Sequence, residues 1–135
     1  MPELPEVETI CRGLHTRLTG SRIVGVQVLE PRLRTVVGAD LSAKLAGRFI
    51  TGVKRRGKYI LILLDDDCVW LWHLGMSGKL IWVEPGRPRV KHDHIVATLD
   101  GGNELRYHDP RRFGLSLVVS SQDLDSLPQM RALGP

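Results

Sequence analysis

The feature of this sequence that most limits its fold is a series of short apolar segments that begins near residue 22. Apolar and polar residues alternate over 24–28, and later segments are rich in aliphatic and aromatic residues, as β-strands are. The acidic stretch 65–67 and the Asp-Gly-Gly-Asn stretch 100–103 are typical of turns. The predicted strands cover 24–28, 49–54, 59–64, 68–74, 79–83, 94–99, 104–107 and 113–119. About eight short strands at this spacing predict a sandwich or a barrel.

The first twenty residues carry a different pattern, which predicts a helix. Apolar residues recur there at helical spacing and form one stripe: Val7, Ile10, Cys11, Leu14 and Leu18. Pro5 suits a first helical turn, and Gly20 is a natural stop. A second, short helix is predicted over 40–45, with Asp40 as its N-cap.

Length and charge set broader limits. The 135 residues suffice for one domain with a core. The polar tail 120–135 ends in Leu-Gly-Pro and is predicted to be a linker, which leaves 1–119 as the domain. A net charge of +4 favours a polyanionic partner, although a charge of this size decides nothing alone.

Cysteine usage and hydropathy indicate an intracellular protein. Cys11 and Cys68 form neither a Cys-x-x-Cys pair nor a zinc-binding spacing, so we expect two reduced, buried thiols. No apolar run reaches the length of a membrane span, and the N-terminus lacks the pattern of a signal peptide. We therefore expect a soluble, cytoplasmic protein without a membrane partner.

The N-terminal sequence Met-Pro-Glu-Leu-Pro-Glu can carry covalent chemistry. Proline at position 2 lets Met1 be removed, which leaves a secondary α-amine on Pro2. Such an amine titrates near pH ~8, so a useful fraction is nucleophilic at neutral pH. It could form an iminium with a sugar carbon, and Glu3 or Glu6 could shuttle protons or stabilise the cation. The same residues also make an ordinary helix start, which composition alone favours.

Two further segments combine glycine with a side chain suited to DNA. In 54–58, Lys-Arg-Arg-Gly-Lys, Lys58 could reach a phosphate or a leaving base; the alternative is a solvated charged turn. In 73–78, His-Leu-Gly-Met-Ser-Gly, Met76 lies where a loop tip is expected. An exposed Met could wedge between stacked bases, whereas a tight turn would bury it.

The segment 109–114, Asp-Pro-Arg-Arg-Phe-Gly, joins two guanidinium groups to an aromatic ring. Arg111 or Arg112 could bind a phosphate or a base edge, and Phe113 could fill the gap left by an extruded base. Phe113 also shares one face of the last predicted strand with Leu115, Leu117 and Val119. The alternative is therefore a hairpin with Phe113 packed inward.

A pair of histidines in Lys-His-Asp-His invites a metal interpretation. His92 and His94 would share one face of a strand. A zinc site needs more than two ligands, and no third is evident nearby. We expect phosphate contact or structural hydrogen bonding instead, and no metal or other cofactor in this chain.

Taken in order, PELPEVET, RRGKY, HLGMSG, KHDH and DPRRFG resemble the sequence blocks of formamidopyrimidine-DNA glycosylase, the bacterial enzyme for oxidised purines. The resemblance covers essentially the whole chain and outweighs the simpler explanations above. It implies a two-layer antiparallel β-sandwich flanked by helices, which acts as a monomer on double-stranded DNA containing formamidopyrimidine or 8-oxoguanine. The implied reaction is base excision through a Schiff base, followed by strand cleavage at the abasic site.

The resemblance also implies roles for individual residues in the chemistry. Pro2 would be the nucleophile and Glu3 its acid–base partner, with Glu6 as a further nearby carboxylate. Lys58 would be a second proton donor and a phosphate ligand.

For DNA binding, the resemblance implies two sets of contacts. One set would enter the minor groove, with Arg111 facing the orphaned base and Met76 and Phe113 holding the gap. The other set would bind backbone phosphates: His73, His92 and Arg112.

The family pattern continues beyond the blocks found here. After a linker, its members continue into a helix–two-turn–helix domain and a four-cysteine zinc finger, which these 135 residues do not contain. We therefore expect weak DNA binding and little or no glycosylase activity from this chain alone. A retained Met1 would turn the Pro2 nitrogen into an amide and remove the nucleophile. The alternatives are a DNA-binding module or degenerate paralogue without catalysis, a glycosylase for oxidised pyrimidines, and a structural sandwich that binds protein.

Overall fold

Two four-stranded antiparallel sheets form the body of the molecule in a computed structural model that describes residues 4–33 and 36–131. The strands are β1 (Ile23–Val28), β2 (Ile50–Arg56), β3 (Tyr59–Leu64), β4 (Cys68–His73), β5 (Lys79–Val83), β6 (Asp93–Leu99), β7 (Glu104–His108) and β8 (Leu115–Ser120). The helices are α1 (Leu4–Leu18), α2 (Leu41–Leu45), α3 (Ser121–Leu124) and α4 (Pro128–Arg131). The sheet orders are β1-β6-β7-β5 and β2-β3-β4-β8, so the predicted mainly β fold is a sandwich and not a barrel.

The main core lies between the two sheets. Alternate residues of each strand point inward, as the two-residue period requires. Trp72 of β4 and Tyr107 of β7 are both fully buried, and their ring centroids lie 5.0 Å apart, so they join the two layers. Aromatic pairs at this distance add to the burial of apolar area.

Helix α1 packs beside β2, and its predicted apolar stripe is confirmed. Val7, Cys11, Leu14 and Leu18 belong to the main core, and Ile10 is partly buried against it. The backbone N–H of Val53 in β2 donates to Nδ1 of His15, 3.1 Å away. Because β2 lies at a sheet edge, this hydrogen bond satisfies a donor that no neighbouring strand takes up.

A second apolar cluster covers the outer face of the β2-β3-β4-β8 sheet. Leu61 and Leu71 pack there with Leu124 and Met130, which lie in α3 and α4. Part of the segment predicted to be a linker is therefore helical and packed on the sheet. Among the described residues, no helix has the length and apolar character to cross a bilayer.

The strand register brings four loops to one end of the sandwich. Tyr59 pairs with His73 and His73 with Leu115 in one sheet, while His108 pairs with both Lys79 and Asp93 in the other. We call this the loop end; it comprises residues 57–58, 74–78, 91–92 and 109–114. The opposite end carries the turns 65–67 and 100–103, and we call it the acidic end.

Two local expectations were wrong, and a third was confirmed in position only. The last strand begins at Leu115, because residues 109–114 form a loop held by hydrogen bonds to Asp109; Phe113 is thus outside the strand and 47% exposed. Cys68 is half-buried because it lies at the start of β4, whereas Cys11 is buried as expected. Asp40 occupies the N-cap of α2 without a side-chain capping bond, and its carboxylate pairs with Lys44 at 3.2 Å.

Candidate nucleic-acid interface

Two neighbouring loops at the loop end expose a sulfur-containing, a cationic and an aromatic side chain together. Met76 is 57% exposed and Phe113 is 47% exposed. Nη1 of Arg111 lies 4.0 Å from Sδ of Met76, so residues from the two loops touch. Exposed large apolar side chains beside a cation are suited to a partner with flat apolar rings and negative charge.

The backbones of these two loops lie against each other. Gly75 has φ +65°, and a Cβ atom added to it would lie 2.9 Å from the carbonyl carbon of Phe113. A Cβ on Gly114 would lie 1.9 Å from Oη of Tyr107. A Cβ at Gly75 would push the two loops apart, and a Cβ at Gly114 would clash with Tyr107 and with the carbonyl oxygen of His73, so glycine is what permits this packing.

The carboxylate of Asp109 is the point at which the loops are fixed. Asp109 is 0% exposed. Its Oδ1 accepts hydrogen bonds from Oγ of Ser77 at 2.5 Å and from the backbone N–H of Arg111 at 3.2 Å. Its Oδ2 accepts from Oη of Tyr107 and, at 3.2 Å, from the backbone N–H of Gly114.

These hydrogen bonds also determine the charge of Asp109. Burial alone would raise the pKa of its carboxyl group, because a charge loses hydration inside a protein. The bonds from Ser77, Tyr107, Gly114 and Arg111 outweigh burial and lower the pKa below its ordinary value. Asp109 is therefore buried as the charged carboxylate, with hydrogen-bond donors from neighbouring residues in place of water.

Arg112 lies beside this loop in a left-handed backbone conformation, with φ +57°. Its Nη1 lies 3.3 Å from Oε1 of Glu30, and that side chain also accepts from Nη2 of Arg32 at 2.7 Å. The hydrogen bond from the Arg32 side chain is the main reason that the pKa of Glu30 falls to about 2. Arg112 is 43% exposed at its side chain, so it can still contact a phosphate at the surface.

The predicted phosphate ligand His92 lies in a turn and not in a strand. Its φ is +73°, and β6 begins one residue later, so the expectation that His92 and His94 share a strand was wrong. Their ring centroids are 6.0 Å apart. Burial lowers the pKa of His92, and the nearby Lys91, His94, His108 and Arg112 lower it further. His94 is buried and its Nε2 donates to the carbonyl of Asp109, which gives it a structural role.

His73 is placed differently from the exposed residues. It ends β4 with only 4% exposure, and its Nδ1 accepts from the backbone N–H of Gly75 at 3.0 Å. This bond shapes the start of the loop that carries Met76. Lys58 lies in the turn between β2 and β3 and makes no ion pair with any residue of 4–33 or 36–131.

A cleft connects this end of the molecule with the start of α1. It is lined by Glu6 and Ile10 of the helix and by Met76 and Ser77 of the loop. The predicted nucleophile Pro2 and its partner Glu3 lie outside the described residues. In sequence, Pro2 comes two residues before Leu4, the first residue of α1.

A second groove, between α1 and β2, has a different character. Oε2 of Glu8 accepts from Nε of Arg55 at 2.7 Å, and this bond lowers the pKa of Glu8. Burial raises the pKa of the Cys11 thiol to about 11, so the thiolate is rare at neutral pH. The groove therefore offers no reactive nucleophile. Over the described parts of the chain, no three His, Cys, Asp or Glu side chains are grouped to hold a metal ion.

Sequence reasoning missed the two residues that hold the loops together, Asp109 and Ser77. Both lie inside segments that were singled out for their Arg, Phe and Met side chains. A signal was available for Asp109, because an Asp-Pro pair directly after a strand favours a turn whose carboxylate accepts backbone N–H groups. No sequence signal indicated that Ser77 would reach it.

Comparisons with known proteins agree with this geometry. The family model described as formamidopyrimidine-DNA glycosylase N-terminal domain matches residues 1–116. Formamidopyrimidine-DNA glycosylases of Hahella chejuensis and Methylococcus capsulatus are each 50% identical over 135 residues, which is 100% of this chain and 49% of each relative. The chain thus spans about half the length of these relatives.

Solved structures of Lactococcus lactis FPG match the fold as well. The complex with FAPY-dG-containing DNA has a TM-score of 0.83 and 36% identity, and the match covers 90% of this chain and 46% of that one. The complex with abasic-site DNA has a TM-score of 0.84 and 36% identity, with 91% and 46% covered. The family-model match, the identity to these relatives and the shared fold place this chain in the formamidopyrimidine-DNA glycosylase family, in its N-terminal domain.

Proposed function

We propose that this chain supplies the catalytic amine and the duplex-opening loops of a base-excision enzyme for oxidised purines in the bacterial cytoplasm. The observation that carries the proposal is the exposed group of Met76, Arg111 and Phe113 beside a cleft lined by Glu6. Relatives named formamidopyrimidine-DNA glycosylase, and a neighbour solved with FAPY-dG-containing DNA, support this substrate class.

In this proposal the loop end opens the duplex. Met76 and Phe113 fill the space of an extruded nucleotide, and Arg111 faces the base left unpaired. Lys58, His73, His92 and Arg112 hold phosphates around the bend. Since phosphate contacts release counterions, binding weakens steeply as salt rises.

The chemical step proceeds from the amine of Pro2 after loss of Met1. The nitrogen attacks C1′ of the damaged nucleotide as the bond from C1′ to the base breaks, and the base leaves with a proton from Glu3 or Lys58. The nitrogen then gives up its N–H proton, the C1′–O4′ bond breaks as O4′ takes a proton, and the nitrogen lone pair forms an iminium with C1′. The iminium acidifies the C2′–H bond, so loss of that proton expels the 3′ phosphate. Glu6 stabilises positive charge in the cleft.

Borohydride trapping on a duplex with one abasic site tests the proposal. A covalent adduct that maps to Pro2, in protein whose intact mass lacks Met1, is the expected result. A form that retains Met1 is the matched control and should give no adduct, because its Pro2 nitrogen is an amide.

A second sample decides what a negative result means. The chain is joined to the remaining half of the Hahella chejuensis relative, of which it spans 49%. An adduct from the joined protein alone would show that the chemistry is present but needs the other half to present DNA. No adduct from either, despite a free Pro2 amine, would reduce the chain to a DNA-binding module.

A further inference from the structure

We propose that Asp109 is a positioning residue that makes the loops of Met76 and of Arg111–Phe113 insert into DNA as one unit. The inference rests on the proposed function and assigns a positioning role to one residue of the proposed site. Asp109 is 0% exposed, so it cannot touch DNA and must act through the loops that it holds.

A single oxygen atom joins the two loops. Oδ1 of Asp109 accepts from the hydroxyl of Ser77, the neighbour of Met76, and from the backbone N–H of Arg111. Oδ2 accepts from the N–H of Gly114, which follows Phe113. Met76 and Phe113 therefore each precede a residue that donates to this carboxylate, and Arg111 donates to it through its backbone N–H.

The surrounding contacts fix Asp109 itself. Its backbone N–H donates to the carbonyl of His92 at 3.0 Å, and its carbonyl accepts from Nε2 of His94 at 2.6 Å. Tyr107 donates to Oδ2 from the core. The carboxylate thus ties two surface loops to the rigid sheet, and ordering them before binding removes part of the entropy cost of insertion.

The chemistry requires a carboxylate at this position. An ionised carboxylate accepts at both oxygens and donates nothing, which matches four donors. Asn has the same shape, but only one of its two terminal atoms accepts hydrogen bonds. Its NH₂ group would point either at the donors from Ser77 and Arg111 or at those from Tyr107 and Gly114. Asp109→Asn should therefore release a loop without creating a cavity.

The first test uses the free chain and NMR. Methyl relaxation of Met76 and amide exchange of Arg111 and Gly114 are measured in wild type, Ser77→Ala and Asp109→Asn. Ser77→Ala should mobilise Met76 and leave Gly114 protected, whereas Asp109→Asn should speed exchange of either the Arg111 or the Gly114 amide about tenfold, as expected for one lost bond to a charged group. Ser126→Ala, which removes a hydroxyl bond to Asp123 at 2.8 Å in another part of the chain, is the matched control.

The second test measures the ratio of affinities for an abasic-site duplex and an intact duplex. Ser77→Ala should lower this ratio about tenfold, because insertion loses its preordered loop while the phosphate contacts remain. The salt dependence should stay unchanged, and Ser77→Thr, which keeps the hydroxyl, should restore the ratio. A loss that merely reflected instability would lower the affinity for both duplexes alike and leave their ratio unchanged.

Two results would overturn the inference. One is unchanged Met76 relaxation in Ser77→Ala, and the other is an unchanged affinity ratio despite a mobile Met76. If neither wild type nor the protein joined to the remaining half of the Hahella chejuensis relative prefers the abasic duplex, the proposed function fails, and the relaxation data alone then decide whether Asp109 couples the loops.

Discussion

The two ends of the sandwich differ in their strand connections and in how these are held: the turns of the acidic end join strands of one sheet, whereas 74–78 and 109–114 cross between the sheets. At the acidic end, Asp66 and Asp67 take left-handed conformations, with φ +56° and +54°, within one turn, and the Asp66 side chain is 85% exposed. At the loop end, His92 and Arg112 are also left-handed, but their loops meet at Asp109, which is 0% exposed.

This difference indicates which end binds a partner. The turns of the acidic end are held by main-chain bonds to neighbouring segments, such as that from the N–H of Asp65 to the carbonyl of Phe49, and do not depend on one shared carboxylate. Loops that are tied together while they expose Met76 and Phe113 keep apolar side chains in water, which is unfavourable unless something covers them. The charges of the two ends point to the same conclusion. The loop end carries Lys58 and Arg111, whereas the acidic end carries Asp65 to Asp67.

The largest effect on stability should come from adding one methyl group at the loop end, with the same addition at the acidic end as the control. Gly114→Ala places a Cβ 1.9 Å from Oη of Tyr107 and 2.8 Å from the carbonyl oxygen of His73. Overpacking of this kind should lower the free energy of unfolding by about 3 kcal/mol, or roughly 10 °C in melting temperature by calorimetry.

Gly101→Ala at the acidic end is the matched change. Its Cβ would meet only Oδ1 of Asn103 at 3.5 Å, an ordinary contact. The free energy of unfolding should stay within about 0.5 kcal/mol of wild type. Equal losses at both ends would show that the loops at Asp109 are no more tightly packed than a simple turn.

Cations at the two ends should differ in their effect on DNA affinity. Lys58→Gln should weaken binding to an abasic-site duplex about tenfold and lower the salt slope by about 0.9, as for one lost phosphate contact. Lys44→Gln, in α2 near the acidic end, removes the same charge and should change affinity less than about twofold. Fluorescence anisotropy at several salt concentrations measures both, and equal slopes for the two variants would contradict the assignment of the interface.

The sequence predicted the strands, α1 and the blocks at the loop end, and its errors have a common physical origin. Periodicity reports the burial of side chains on regular elements, so the stripe Val7 to Leu18 and the strands of the core were found. It failed at Phe113, because the alternation of apolar residues in the sequence begins before the strand does. The N–H of Gly114 donates to Asp109 and keeps Phe113 in the loop. It also missed the packing of Leu124 and Met130, since two short helices have too few residues to show a period.

The site was only partly predictable for the same reason. Side chains with distinctive chemistry, such as Arg111 and Met76, can be singled out one segment at a time. The contact between Ser77 and Asp109 joins segments 32 residues apart, and no local pattern encodes a contact of that range. The roles of Pro2 and Glu3 stay predictions, since these residues lie outside the described part of the chain.

Removing a negative charge from the loop end should sharpen the difference between the ends. Glu30→Gln weakens the hold on Arg112, whose Nη1 lies 3.3 Å from the Glu30 carboxylate, and leaves this cation to a phosphate. Affinity for an abasic-site duplex should rise about threefold at low salt, because one repulsive charge is lost and one cation is gained. Asp66→Asn at the acidic end also removes a negative charge, in a turn that Asn tolerates, and should change affinity less. A larger gain from Asp66→Asn would mean that overall charge, and not its position, governs binding.

An equally small effect is expected for the pH dependence of binding at His92. Burial and neighbouring cations lower the pKa of His92 below 6.5, so the free protein holds it neutral at pH 7. A phosphate favours the charged ring, so the affinity of wild type should gain about threefold between pH 7 and 5.5 through this group.

The stability contributed by His92 changes in the opposite direction. Because the unfolded chain binds the proton more readily, this stability is present above pH ~6.5 and is lost as pH falls. His92→Asn keeps a residue that accepts the left-handed φ of +73° and should flatten the His92 part of both profiles in anisotropy and thermal unfolding. Identical pH profiles for wild type and the variant would show that the ring at this turn does not meet a phosphate.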